Sequence, residues 1–306
     1  MMMNQIFPAD ISGEMWNSEP VQWITLISVF TLAELLRPRR PLSLRQKFAS
    51  SAALVSSLWL GFNEIFFRIV PGFVIKVTFI IGSLIYWYLL AHFYENQDPQ
   101  FVFGSWLTAF PLSVFETTWA QDLLVFMVID LLLYGTHYWV HRLPILWNFH
   151  QVHHSSTSLN WLAGFRGHVI DNIFFKLAAT LPFLIFKTSP EFVIIWGWMD
   201  SVFVFFAHAN LKIGSPSIPG VGPLINSPDY HATHHLKDVG SGCGQNFSAW
   251  FPLWDRIFKT QQLHNDPLQN YGINDADSGK LPSDFLGQLV KPIFQLAQRK
   301  SNDGSV

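Results

Sequence analysis

The chain has a single cysteine, Cys243, in 306 residues, and only 13% of its residues are charged, against about 25% in ordinary soluble domains. One cysteine excludes an intrachain disulfide framework and any cysteine-built zinc site. Lys and Arg total 19 and Asp and Glu total 21, a net charge of −2. No global positive field is offered to phosphate backbones, so a nucleic-acid partner is excluded. Scarce charge also argues against a soluble enzyme and a disordered tail. Internal repeats and low-complexity segments are absent. Met1 to Asp10 carry no basic residue, so no cleaved signal peptide is expected.

Apolar residues are what the chain has in quantity. They make up 50% of it, aromatics reach 16%, and there are 29 phenylalanines. They gather in runs at 21–36, 50–70, 73–93, 101–115, 123–140, 173–186 and 191–207. A membrane-crossing helix needs about 20 mainly apolar residues. Runs 73–93 and 123–140 approach that length, as does 50–70, which carries Asn63 and Glu64. Run 21–36 is short, and 101–115 holds Pro111 and suits a re-entrant or surface-lying segment as well as a span. Backbone groups in lipid must bond within their own segment, which demands helices rather than strands. The expected fold is all-α: a multi-span transmembrane helical protein with a cytosolic histidine-rich metal-binding cap. Residues 1–120 form an N-terminal transmembrane region, 121–260 a histidine-rich catalytic region, and 261–306 a polar C-terminal tail with a short helix near 286–296.

Orientation follows from the basic residues. Arg37, Arg39, Arg40, Arg45 and Lys47 crowd one loop, and the first twenty residues have none. The positive-inside rule puts that loop in the cytoplasm. Basic residues vanish between Lys76 and Arg142, then return at Arg166, Lys212, Lys237, Arg256 and Lys259. The histidine-bearing regions are therefore expected on the cytoplasmic face. From His168 to Lys187 is 19 residues, about 29 Å of helix. Thr188, Ser189 and Pro190 break the pattern, and a second helix of about 26 Å then leads to His208. Such a hairpin returns His208 to the level of His168.

Of 12 histidines, eight fall in three clusters: His137 and His141; His150, His153 and His154; His231, His234 and His235. At this histidine frequency one His-x-x-His-His is expected by chance roughly 0.02 times, and the chain has two. On a helix, positions i, i+3 and i+4 share a face, so each cluster points its rings at one place. Neutral imidazole suits iron, zinc, copper and nickel. With His168 and His208 the set reaches ten rings, too many for one ion and about right for two. Asp130, Tyr134, His137 and His141 lie on one helix face. An ionisable residue in an apolar helix is costly and marks a functional site. Asp130 or Tyr134 is expected to accept the second ring N–H of a ligating histidine, the alternative for Asp130 being a bond to a neighbouring helix. Asp200 sits similarly, eight residues before His208. The His-Glu-x-x-His of zinc proteases and the Glu-x-x-His of soluble di-iron bundles are both missing.

Order and spacing together carry a resemblance. It runs from Asp130 through Tyr134, His137-Tyr-Trp-Val-His141-Arg142, Leu146-Trp-Asn-Phe-His150-Gln-Val-His153-His154-Ser155, Arg166-Gly-His168 and Phe206-Ala-His208-Ala-Asn210. It closes with Ser227-Pro-Asp-Tyr-His231-Ala-Thr-His234-His235 and the stretch from Asn246 to Trp254-Asp255-Arg256-Ile257-Phe258-Lys259-Thr260. Over these residues the sequence resembles the fatty acid hydroxylase/sterol desaturase superfamily of membrane, histidine-rich di-iron oxygenases. The resemblance implies His137, His141, His150, His153, His154, His231, His234 and His235 as metal ligands, with His168 and His208 as accessory ones. Where the family often has His-Pro and then an acid, this chain reads His168-Val-Ile-Asp171. Asp130 and Tyr134 are candidate catalytic residues. Asn210 is a third, placed to hold a metal-bound water or to cap a helix end.

The implied activity is O2-dependent hydroxylation or desaturation of a lipid C–H bond, of sterol or fatty-acyl type, by two iron ions (Fe2+/Fe3+). No haem- or flavin-binding segment is evident, so electrons are expected from an external cytochrome- or ferredoxin-type carrier with its reductase. A histidine-rich membrane metal transporter is the alternative. Transport sites lie near the bilayer midplane, whereas these histidines fall at span ends. The C-terminus has no Lys-Asp-Glu-Leu-type signal, which favours a bacterial inner membrane over endoplasmic reticulum.

Overall fold

A computed structural model of the chain describes residues 19–48, 50–69, 118–186, 188, 190–214, 217–219, 222–237, 244–263, 270–274 and 281–303. The apolar runs 73–93 and 101–115, the isolated His92 and His264, and Cys243 lie outside the described residues.

Among the described residues the chain is mostly helical, as its apolar runs require. The apolar helices are α1 (Glu19–Leu36), α3 (Ser51–Ile69), α4 (Thr118–Arg142), α6 (Val169–Ile185) and α7 (Pro190–His208). Shorter helices connect them: α2 (Leu44–Phe48), α5 (Pro144–His154) and a 3-10 turn, Trp161–Phe165. Beyond α7 come a two-stranded antiparallel ribbon, β1 (Ser217–Ile218) with β2 (Gly222–Pro223), then α8 (Pro228–His234), α9 (Leu253–Ile257) and α10 (Phe285–Asp303). The C-terminal helix is thus longer than the sequence expectation.

Among the described residues one helix, Trp119–Arg142, is long and apolar enough to cross a membrane, and Gln22–Leu36 and Phe192–His208 are shorter apolar helices. Large apolar side chains stay exposed on α1 (Ile24, Leu32), α4 (Trp119, Leu123) and α7 (Ile194, Val202). A water-exposed apolar surface of this kind marks a face meant for another apolar phase.

The core is aromatic. Phe30, Trp161 and Phe205 stack where α1, the 3-10 turn and α7 meet, with centroids 5.3 and 5.0 Å apart. Phe126, Trp196, Phe203 and Trp250 join α4 to α7 and the C-terminal loop. Stiff rings with large buried areas hold the helices at fixed angles, and this places every histidine cluster at one end of the assembly. The α6–α7 hairpin runs out and back as its lengths require. His208 Nε2 returns to 3.2 Å from His153 Nε2, and His153 Nδ1 donates to the Arg166 carbonyl at 3.0 Å.

Buried charge fastens the N-terminal helices to this end. Glu34 Oε1 accepts the Trp161 and Asn210 N–H groups at 2.8 Å each, and Lys47 Nζ donates to the Glu34 carbonyl at 2.8 Å. Arg39 Nε donates to Asp229 Oδ1 at 2.8 Å.

Candidate metal centre

Nine imidazoles from four helices converge and divide into two groups. His137, His141, His150, His154 and His234 form one; His153, His208, His231 and His235 form the other. Within each group the ligand-capable atoms lie within 4.8 Å of one another. The groups abut, with the His154 and His235 rings 4.5 Å apart.

Helix geometry explains the placement. His137 and His141 sit one turn apart at the C-terminal end of α4. Extended Leu143 and Pro144 at the first helical position turn the chain into α5. Ser227 caps α8, its Oγ accepting the Tyr230 N–H at 3.3 Å, and Pro228 starts that helix. The His-x-x-His-His motifs do not each aim at one place, as the sequence expectation had it. In α5, His150 and His154 serve the five-ring group and His153 the other; in α8, His231 and His235 serve the four-ring group and His234 the other. Positions i and i+4 stay aligned, while the i+3 ring diverges enough to reach a neighbouring site.

Hydrogen bonds at the rear of the rings set the tautomers. Nδ1 donates to a carbonyl in His137 (Phe247, 2.8 Å), His234 (Gln245, 2.7 Å), His153 (Arg166, 3.0 Å) and His208 (Val204, 3.0 Å). His150 Nδ1 meets Asp171 Oδ2 at 3.0 Å. A neutral ring that donates from Nδ1 presents a bare lone pair at Nε2. Burial holds His150 and His153 at a pKa of about 3, and burial followed by neighbouring rings holds His154, His231, His234 and His235 well below 6.5. These rings are therefore neutral, and where Nδ1 donates to a carbonyl the inward nitrogen is an acceptor.

Such an arrangement fits metal ions. His153 and His208 point two lone pairs at each other across 3.2 Å, which repel unless a cation lies between them. Along the same group, His208 to His231 is 2.9 Å and His231 to His235 is 3.1 Å, Nε2 to Nε2. Ligands about 2.0–2.1 Å from one ion are separated by about 3.0–3.4 Å. In the five-ring group, Nε2 of His137, His150, His154 and His234 and both nitrogens of His141 are buried without a hydrogen-bond partner. Each such atom costs about 1–3 kcal/mol, and metal coordination would remove that cost at one nitrogen of each ring.

Four sequence-selected residues stand elsewhere. His168 is the tenth ring and joins neither group. Its Nδ1 accepts the Ile170 N–H at 3.2 Å, capping α6, and its Nε2 donates to the Leu289 carbonyl at 2.9 Å. Both nitrogens are occupied, so no lone pair is left for a metal. Asp130 does not hold a ligand histidine. Its carboxylate, fully buried, accepts the Trp250 and Phe251 N–H groups at 2.9 and 3.3 Å and the Trp254 indole N–H at 2.9 Å. Tyr134 bonds Thr260 Oγ1 at 3.0 Å. Asn210 turns its side chain to the loop after α1. Its side chain donates to the Arg40 carbonyl at 2.7 Å and accepts the Arg40 N–H at 3.0 Å. The bonds that the structure shows for all three are to the scaffold.

Sequence reasoning gave no role to the residues that fix the rings. Asp171 is one, although a carboxylate in the first turn of apolar α6 is the signal that singled out Asp130. Asp255 is another: fully buried, it accepts the Phe247 and Ser248 N–H groups at 2.8 and 3.0 Å, the Tyr230 hydroxyl at 3.0 Å and the Thr260 hydroxyl at 2.7 Å. With Asp130 it moulds the 246–254 loop that carries the Phe247 carbonyl to His137. Asn246 opens that loop at φ +55°, a left-handed conformation asparagine tolerates well. The Phe247 and Gln245 carbonyls carry no sequence signal at all.

Residues 123–260 match the family model described as fatty acid hydroxylase. The chain is 27% identical to ornithine lipid hydroxylase OlsE of Rhizobium tropici over 184 residues, 59% of this chain and 52% of that protein. It is 30% identical to alkylglycerol monooxygenase of Danio rerio over 153 residues, 47% of this chain and 31% of that protein. It is 29% identical to methylsterol monooxygenase 2-2 of Arabidopsis thaliana over 190 residues, 59% of this chain and 69% of that protein. The chain thus spans about half the length of the first of these relatives and under a third of the second. No solved structure matches it. These matches bear out the resemblance to the fatty acid hydroxylase/sterol desaturase superfamily over residues 123–260.

Proposed function

We infer that the chain is a membrane-bound, two-iron oxygenase that hydroxylates an unactivated C–H bond of a lipid. The observation that carries this is the division of nine buried imidazoles into adjacent groups of five and four. Two groups call for two ions, and imidazole-only donor sets suit iron. Three relatives named as hydroxylases or monooxygenases of lipids support the same reaction class. Those three names also favour hydroxylation over desaturation, since each describes the addition of oxygen.

When bound, the irons would supply the activation of O2. One oxygen atom enters the C–H bond and the other leaves as water, with two electrons and two protons from an external carrier and reductase. The chain's own residues hold the rings. Asp171 and the Phe247, Gln245, Arg166 and Val204 carbonyls each fix one imidazole, so that its inward nitrogen stays unprotonated. The aromatic walls of α4, α6 and α7 exclude water and offer an apolar lining for a lipid chain.

The functional division follows the same lines. Residues 121–260 carry the catalysis, 1–120 add transmembrane helices, and 261–306 pack from outside. We place α4, α1 and the α6–α7 hairpin in the bilayer, with the ring-bearing ends on the cytoplasmic face of a bacterial inner membrane.

The test pairs metal analysis with lipidomics. Purified chain should hold about two irons, and membranes containing it should gain lipids heavier by one oxygen. A product lighter by two hydrogens converts the assignment to desaturation. Readily exchanged zinc with ion flux in liposomes, and no lipid product, replaces it with transport.

A further inference from the structure

The segment after α1 carries five cations, and two of them are paired internally among the described residues. Arg39 is buried against Asp229, and Lys47 against Glu34. Arg37, Arg40 and Arg45 are exposed. Lys212, also exposed, comes from 170 residues further on and joins them in space. Pro38 bridges Leu211, and the Asn210 side chain grips both backbone polar groups of Arg40. The segments that carry the four cations are thus fastened to one another.

The segments that carry them supply no carboxylate. Segments 37–48 and 208–214 contain no Asp or Glu. Glu34 is fully buried, and Asp229 is taken by Arg39. Exposed apolar side chains border the cations: Leu36 at 71%, Leu44 at 61% and Ile213 at 40% exposure. Cations beside apolar surface at the end of an apolar helix match the two halves of a phospholipid, phosphate and acyl chain.

We propose that Arg37, Arg40, Arg45 and Lys212 form a binding site for the headgroup of an anionic membrane phospholipid, whose acyl chains lie against Leu36, Leu44 and Ile213. The site adjoins the four-ring group. Its loop is fastened to Asn210, two residues after His208, and to Asp229, two residues before His231. An occupied site therefore braces both segments that deliver those rings. The proposal rests on the membrane seat given above, and not on the metal or the reaction.

The test reconstitutes the full chain in equal parts phosphatidylglycerol and phosphatidylcholine, re-isolates it in neutral detergent and counts retained lipids by mass spectrometry. Wild type should retain phosphatidylglycerol preferentially. Each of Arg37→Gln, Arg40→Gln, Arg45→Gln and Lys212→Gln should lower that preference up to about fivefold, while Arg45→Lys keeps it. Undiminished preference in the fourfold Gln variant overturns the proposal. So does its abolition by excess inorganic phosphate, which marks a free-phosphate site. If the fourfold variant does not fold, the exposed Arg45→Gln and Lys212→Gln singles decide alone. Metal content, measured on the same samples, reports separately on the histidine centre.

Discussion

The two histidine groups are built differently. The five-ring group is wholly buried and fastened by the Phe247 and Gln245 carbonyls and by Asp171, the one carboxylate bonded to a ring of either group among the described residues. The four-ring group is fastened by the Arg166 and Val204 carbonyls, and His153 is partly exposed. Its inward nitrogens already stand 2.9–3.2 Å apart. One group is saturated with donors and closed; the other has fewer donors and an edge toward the outside. The difference teaches that similar rings can build two groups of unlike access and donor number.

The largest test of this comparison removes one ring from each group. His208→Ala and His234→Ala should each lower turnover more than about 100-fold, beyond the 10–100-fold typical of residues behind the ligands. Metal analysis sharpens the result: loss of one ion per chain makes the groups separable, and loss of both makes them a single unit. Asp171→Asn comes next. It should weaken metal binding about 10–100-fold in the five-ring group and leave the other ion in place, as chelator competition would show.

Two glycines probe the groups by size. A Cβ on Gly164 would stand 2.9 Å from His208 Nδ1 and 3.0 Å from the Val204 carbonyl; one on Gly244 would stand 2.5 Å from the Phe247 ring and 3.0 Å from His141 Nδ1. Gly164→Ala should therefore disturb the four-ring group and Gly244→Ala the five-ring group, each at about 1–3 kcal/mol of overpacking. Matching metal losses in both variants would erase the distinction. The smallest effects belong to the scaffold. Asp130→Asn should cost about 1–3 kcal/mol, seen as a lower melting temperature at nearly full metal content. His168→Ala should cost about 1 kcal/mol as a lost cap and leave metal content unchanged. Metal loss in His168→Ala would return that ring to the ligand set.

Much of the centre was legible because helical spacing is local. His137 with His141, and the i and i+4 rings of the two His-x-x-His-His motifs, announce shared faces on their own, and the lengths of α6 and α7 bring His208 home. Where inference from spacing failed, a residue's partner lay far along the chain. Asp130 shares a face with His137 yet bonds a loop 120 residues away, at Trp250. His168 sits beside Arg166-Gly167 like a ligand, but Leu289 of α10 claims its Nε2.

By itself the sequence determined the helices, the apolar surface and the histidine supply, since all three follow from residue type and short-range periodicity. Only the tertiary structure decided how nine rings divide into five and four, and which residue stands behind each. That choice depends on where distant carbonyls and carboxylates come to rest once the aromatic core is packed, and no local pattern encodes it.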